Sequence, residues 1–193
     1  MKNFAAEQIG WVSDLVTERG GGLLMAGGIS SFDSGQYDRT PWEKLIPVDM
    51  LGFGAGFYDR LLTLDIPDTV KDHPLWKLDS DPEKNAEILA AHPPFFGMNR
   101  VRRAKPGAVV LALRAGTDEP VIAAQTYGRG RSVAYLPDPN GGWGDRYATW
   151  GPSGVVTGER IEIGQGAEFI FSSDAARVPA TPVPPHPSPW YGR

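Results

Sequence analysis

The chain has 193 residues, a net charge of −4 and no cysteine, and its 41% hydrophobic and 22% charged content is that of a soluble domain with its own core. The missing thiol excludes disulfides, thiolate metal sites and every cysteine-nucleophile mechanism, and the acidic balance argues against a general nucleic-acid binder. The 24 glycines and 18 prolines predict many turns and short elements, being about a fifth of the chain against an ordinary share of about 12%.

No run of about 18 apolar residues is present, and the N-terminal segment, with Glu7, Asp14 and Glu18, lacks the uncharged stretch of a secretory signal. A cytoplasmic protein is expected, with no membrane partner. Residues 4–19 predict an amphipathic helix that places Phe4, Ala5, Ile9, Val12, Leu15 and Val16 on one stripe. Gly20-Gly21-Gly22 ends it, and Leu23–Ala26 reads as a short strand buried on both faces. Gly27-Gly28-Ile29-Ser30-Ser31 then occupies the strand's C-terminal end, where open α/β sheets bind ligands.

Thr40-Pro41-Trp42-Glu43 has the layout of a capping box opening a short helix that ends near Leu45, before Pro47. Residues 49–65 read as a glycine-punctuated excursion without an assigned element. A turn is expected around His73–Trp76 and a short helix over 82–91. Residues 108–113, 121–125 and 132–136 are strand-like and spaced as an antiparallel meander. Residues 161–163 and 168–171 suggest one more hairpin. The last 16 residues hold six prolines and suit no sheet interior. The organisation expected is one domain over 1–176 and a proline-rich tail over 177–193.

The glycine-rich junction lets backbone N–H groups approach an anion or carbonyl oxygen, or else it only permits a sharp turn beneath Phe32. No Gly-Lys-Ser/Thr follows it, which argues against nucleotide hydrolysis. Ser30 and Ser31 lack both the Gly-x-Ser-x-Gly elbow and an obvious histidine partner. His73, His92 and His186 form no cluster, so neither a metal nor any other cofactor is expected. The run Arg100, Arg102, Arg103 and Lys105 reads as a solvated edge rather than an RNA surface. The loop 138–145 lines a pocket with Asp138, Trp143 and Asp145, or is a glycine turn with a packed tryptophan.

Taken in order, GGGLLMAGG, RTPWEKLIPVDM, HPLW, KPGAVVLAL, PVIAAQTYGRGRSVAYLPDP and GWGDRYATW make residues 4–150 resemble the glutamine amidotransferase-like proteins, a divergent branch of the class I glutamine amidotransferase-like superfamily. The resemblance implies an α/β fold, a flavodoxin-like three-layer sandwich. Active relatives use a cysteine at a strand–turn–helix elbow with histidine and glutamate. Here the nearest counterpart of that elbow offers Gly27, Gly28 and Ser30. The β-α-β portion that normally precedes the first helix is not evident, and residues 152–176 look like an antiparallel C-terminal extension.

These features lead to the expectation of a non-catalytic binding or assembly module. Its candidate pocket comprises Gly27, Gly28, Ser30, Ser31, Asp138, Trp143 and Asp145. Exposed sheet edges invite a second copy or a partner subunit that completes the sheet. The alternative is a hydrolase on the same scaffold, acting on a small polar or carbohydrate-like substrate. The segment Pro182–Trp190 suits docking on an aromatic-lined groove, although a disordered terminus is the simpler reading.

Overall fold

A computed structural model describes residues 4–52, 54–139, 142–144, 146–147, 150, 160–162 and 168–170. Helix α1 (Ala6–Thr17) leads into β1 (Gly22–Ala26). Three two-residue strands follow, β2 (Val48–Asp49), β3 (Phe57–Tyr58) and β4 (Leu64–Asp65), then α2 (Pro82–Ala90). Next come β5 (Met98–Asn99), β6 (Arg103–Ala104) and the long strands β7 (Val109–Arg114), β8 (Pro120–Tyr127) and β9 (Gly130–Tyr135). Two short strands, β10 (Arg160–Glu162) and β11 (Glu168–Ile170), pair antiparallel with each other, as the hairpin pattern predicts.

The central sheet has the order β1-β9-β8-β7-β4. Only β1 and β9 run parallel, and the β7–β8–β9 meander is antiparallel as expected. This mixed α/β architecture, with a mostly antiparallel sheet and few helices, agrees with a flavodoxin-like fold. Gly20 takes a left-handed φ of 75° and Gly21 N–H bonds to Leu15 O, so the glycine run turns α1 back into β1. Residues Pro120–Ala124 of β8 are buried in succession; since their side chains alternate, the sheet is covered on both faces there. Val16, Trp42 and Leu45 form a small cluster with Ile9, Val12 and Leu23, while the main core gathers Phe32, Ile46, Phe95, Met98, Leu111 and Leu136.

Three expectations need correction. β1 is only half-buried, because it is an edge strand with a neighbour on one side among the described residues. Phe4 and Leu15 are exposed at 42% and 45%: Phe4 precedes the helix and rests its ring against Trp42, 4.8 Å between centroids, and Leu15 lies at the margin of an inner face made by Ile9, Val12 and Val16. The capping box does not form. Pro41–Lys44 is a 3₁₀ turn, the Thr40 hydroxyl donates to Tyr37 O, and Glu43 Oε2 accepts from Arg39 N rather than Thr40 N. The basic run is exposed at Arg100, Arg102 and Arg103, but Arg103 pairs with Asp49 and the Lys105 ammonium donates to Glu43 O. The proline-rich tail lies outside the described residues.

Pro74–Trp76 forms a 3₁₀ turn that Trp76 pins to the sheet through its buried Nε1–H bond to Leu111 O, 3.1 Å. His73 caps that turn, its Nδ1 accepting from Leu75 N–H, which requires an unprotonated nitrogen. Burial holds the His73 imidazole below its usual range. The folded state therefore binds fewer protons, and the stabilisation is complete above about pH 6.5 and lost as pH falls through the lowered value. Thermal denaturation should show a loss of stability below pH 6.5 that His73→Asn, an acceptor that does not titrate, removes; an unchanged pH profile would contradict the cap.

Candidate functional site

The loop after β1 is built around one buried amide. Asn99, with no exposed surface, accepts the Gly28 N–H at Oδ1 (2.8 Å). Its Nδ2 donates to Gly28 O (3.0 Å) and Ser31 O (3.3 Å). The reverse amide orientation would set donors against a donor and acceptors against an acceptor, so the network itself fixes the flip. Asn99 N–H also donates to Leu136 O at the end of β9. Gly27 N–H donates to Tyr135 O and Pro137 O, and Ser31 N–H to Gly28 O. A side chain at Gly27 would meet Leu136 O at 1.9 Å, so only glycine fits this approach.

Of the candidate residues, Gly28, Ser31 and Asp138 do converge. A β-carbon on Gly28 would lie 3.5 Å from Ser31 Oγ and 3.9 Å from Asp138 Oδ2. Ser30 is exposed. Trp143 turns to Phe57, with ring centroids 4.9 Å apart, and fills the space beside Gly97. It is thus a packed tryptophan. Asp145 lies outside the described residues. Behind Asp138, burial pushes the Tyr135 phenol well above its ordinary value, and the Asp138 carboxylate adds to this. Tyr147 is raised in the same way, by burial and then by Tyr135. Neither phenol is a base near neutral pH.

Among the described residues no histidine is placed for general-base work here. His92 Nε2 lies 2.9 Å from Leu64 O on β4, at the opposite edge of the sheet from β1. Four strand spacings separate those strands, about 19 Å. His186 lies outside the described residues. No group of three or more histidine, aspartate or glutamate side chains placed for a metal occurs among the described residues.

Sequence reading missed Asn99 and Asp33, and named Phe32 only as the residue over the glycine turn. Phe32 holds φ 51° with its side chain fully buried, so the loop's left-handed non-glycine residue anchors the core and presents no nucleophile. Asp33 is 1% exposed, and its Oδ2 accepts from Ala55 N–H at 3.2 Å. Turns follow this loop where an elbow would need a helix. The loop also borders a groove of about 190 Å³ along β1, lined by Leu23–Ala26, Ser31, Tyr37, Trp42 and Ile46. A wider cleft of about 440 Å³ lies elsewhere, between α1 and the 41–44 turn. Its Ser13, Thr17 and Thr40 hydroxyls donate to backbone carbonyls of the chain itself.

Residues 2–156 match the model of the family described as "Putative glutamine amidotransferase". The chain belongs to this family. No curated protein matches it. The solved structure of cytoplasmic protein STM3548 from Salmonella typhimurium is similar at a TM-score of 0.62 and 22% identity, over 77% of this chain and 56% of that one. Cytoplasmic protein STM1381 from Salmonella typhimurium LT2 gives 0.57 and 23%, over 77% of this chain and 57% of that one. These likenesses show the fold, and this amidotransferase-like chain spans little more than half the length of either.

Asn99→Ala should leave the Gly28 N–H and two carbonyls without their partner and cost about 3 kcal/mol. Asn99→Asp would set a carboxylate against two carbonyl oxygens, so its stability should fall as pH rises from 5 to 8, the reverse of the His73 effect. Chemical denaturation measures both; wild-type stability in Asn99→Ala would contradict the clamp.

Proposed function

We propose that the chain is a non-catalytic glutamine amidotransferase-like module that works by binding and assembly. The observation that carries this reading is the internal use of the loop's backbone donors. Gly27, Gly28 and Ser31 direct their N–H groups to Tyr135, Pro137, Asn99 and Gly28 itself. An oxyanion cradle needs such donors aimed at the reacting atom. The absence of cysteine removes the family's thiolate route from this chain. A cytoplasmic setting fits a structure in which no described helix is long and apolar enough to cross a membrane.

Assembly is supported by the edge position of β1, whose outer side is unpaired among the described residues. We place the contact with another chain there. One observation favours the hydrolase reading instead, the approach of Ser31 Oγ and Asp138 Oδ2 to the space beside Gly28. A small polar substrate would sit in that space.

The two readings separate in an activity assay on the purified chain. Ammonia release from glutamine and hydrolysis of a p-nitrophenyl ester or glycoside should both stay at the buffer rate. Turnover that disappears in folded Ser30→Ala, Ser31→Ala or Asp138→Ala would establish the hydrolase.

A further inference from the structure

The outer face of α1 continues the surface that begins at the open edge of β1. Trp11 is 58% exposed and Leu15 45%, and Leu15 lies against Gly21 at the entrance to the strand. Trp11 and Leu15 are spaced i and i+4, so they stand together on one side of the helix, whereas Phe4 precedes the helix and rests its ring against Trp42. Ile29, 70% exposed, adds an apolar residue beyond the strand's other end. Three large apolar side chains, Trp11, Leu15 and Ile29, left in water near one edge strand mark an interaction surface rather than scattered surface hydrophobes.

The charges beside the stripe decide what covers it. Glu7 and Asp14 flank Trp11 at i−4 and i+3, and Glu18, the C-cap, follows Leu15 at i+3. All three are exposed, and α1 carries no basic residue in its last turn; exposed Arg19, just past the C-cap, leaves the rim with a net negative charge. A second copy laid against this face would bring two acidic rims together, which is unfavourable where water is excluded. A helix with its own apolar stripe flanked by lysine or arginine would bury the tryptophan and pair every rim carboxylate. Parallel layering permits it: helices pack 8–10 Å apart, the width of two strands, so a helix beside α1 stands over sheet positions beyond β1.

We infer that the outer face of α1, beside the open edge of β1, receives a basic amphipathic helix of a different protein chain. This rests on the assembly reading above and gives its partner a chemistry. Trp11 and Leu15 are the apolar anchors, and Glu7, Asp14 and Glu18 select the charge.

The test uses the full chain and a fluorescein-labelled, alanine-based helical peptide of about 15 residues, with leucines on one stripe and lysines beside it. A twin peptide carries glutamates for the lysines. Fluorescence anisotropy should show the lysine peptide binding at least tenfold more tightly than its twin, and losing affinity as salt rises from about 50 to about 500 mM. Trp11→Ser should abolish binding, and Glu7→Lys with Asp14→Lys should reverse the preference. Glu83→Lys with Glu87→Lys, on the exposed face of α2, should leave it unchanged.

Equal affinity for the two peptides, or equal loss with the α2 charges reversed, would overturn the proposal. So would a stable dimer by light scattering that Trp11→Ser dissolves, because the surface would then belong to a second copy. Enzymatic turnover bears on the non-catalytic reading alone and leaves these binding outcomes intact.

Discussion

The fully buried side-chain amide of Asn99 is the interaction on which the rest of this structure depends. It joins three parts of the chain that share no local sequence: the loop after β1, the short strand β5, and the end of β9. An amide suits this place because it both accepts and donates, and here it meets one N–H and two carbonyls. In a water-free site each of those groups would be costly to leave alone. The clamp therefore makes the path of residues 27–31 a consequence of the core rather than of a ligand.

That consequence bears directly on chemistry. A glycine-rich junction at the end of a strand has two physical uses, lending N–H groups to an anion or letting two backbones approach. Gly27 serves the second, since Leu136 O occupies the space a side chain would need. Gly28 leaves open space beside Ser31 and Asp138, yet its own donor points inward to Asn99. Tyr135 and Tyr147, the titratable groups packed behind, are held protonated by burial. The loop thus has the sequence of a site and the hydrogen bonding of a structural joint.

Much of the scaffold was legible because its causes are local. Glycine after an amphipathic run ends α1, and apolar runs separated by turn residues give β7, β8 and β9 in the expected meander. What depended on distant partners was not legible. Gly28 and Asn99 are 71 residues apart, and nothing around Asn99 distinguishes it from a surface asparagine in a turn. Thr40 and Glu43 have capping-box spacing, but the tight 3₁₀ turn gives each a nearer partner. Helical periodicity placed Phe4 and Leu15 in the core, but the helix starts after Phe4, whose ring rests against Trp42, and periodicity reports a stripe without the width that leaves Leu15 at its margin. Of the pocket proposed from sequence, Gly28, Ser31 and Asp138 meet, whereas Trp143 belongs to the packing around Gly97.

Internal bonding of the glycine loop on one side and a strand edge unpaired among the described residues on the other describe a single economy of backbone groups. Donors at the C-terminal end of β1 are engaged within the chain, while the outer side of the strand has no partner among the described residues. Residue-resolved amide hydrogen exchange measures this most directly. Gly27 and Gly28 should exchange as slowly as the buried amides of β9, and Asn99→Ala should release Gly28 first. Exchange at Gly28 as fast as at exposed Ser30, or protection that survives Asn99→Ala, would contradict the account.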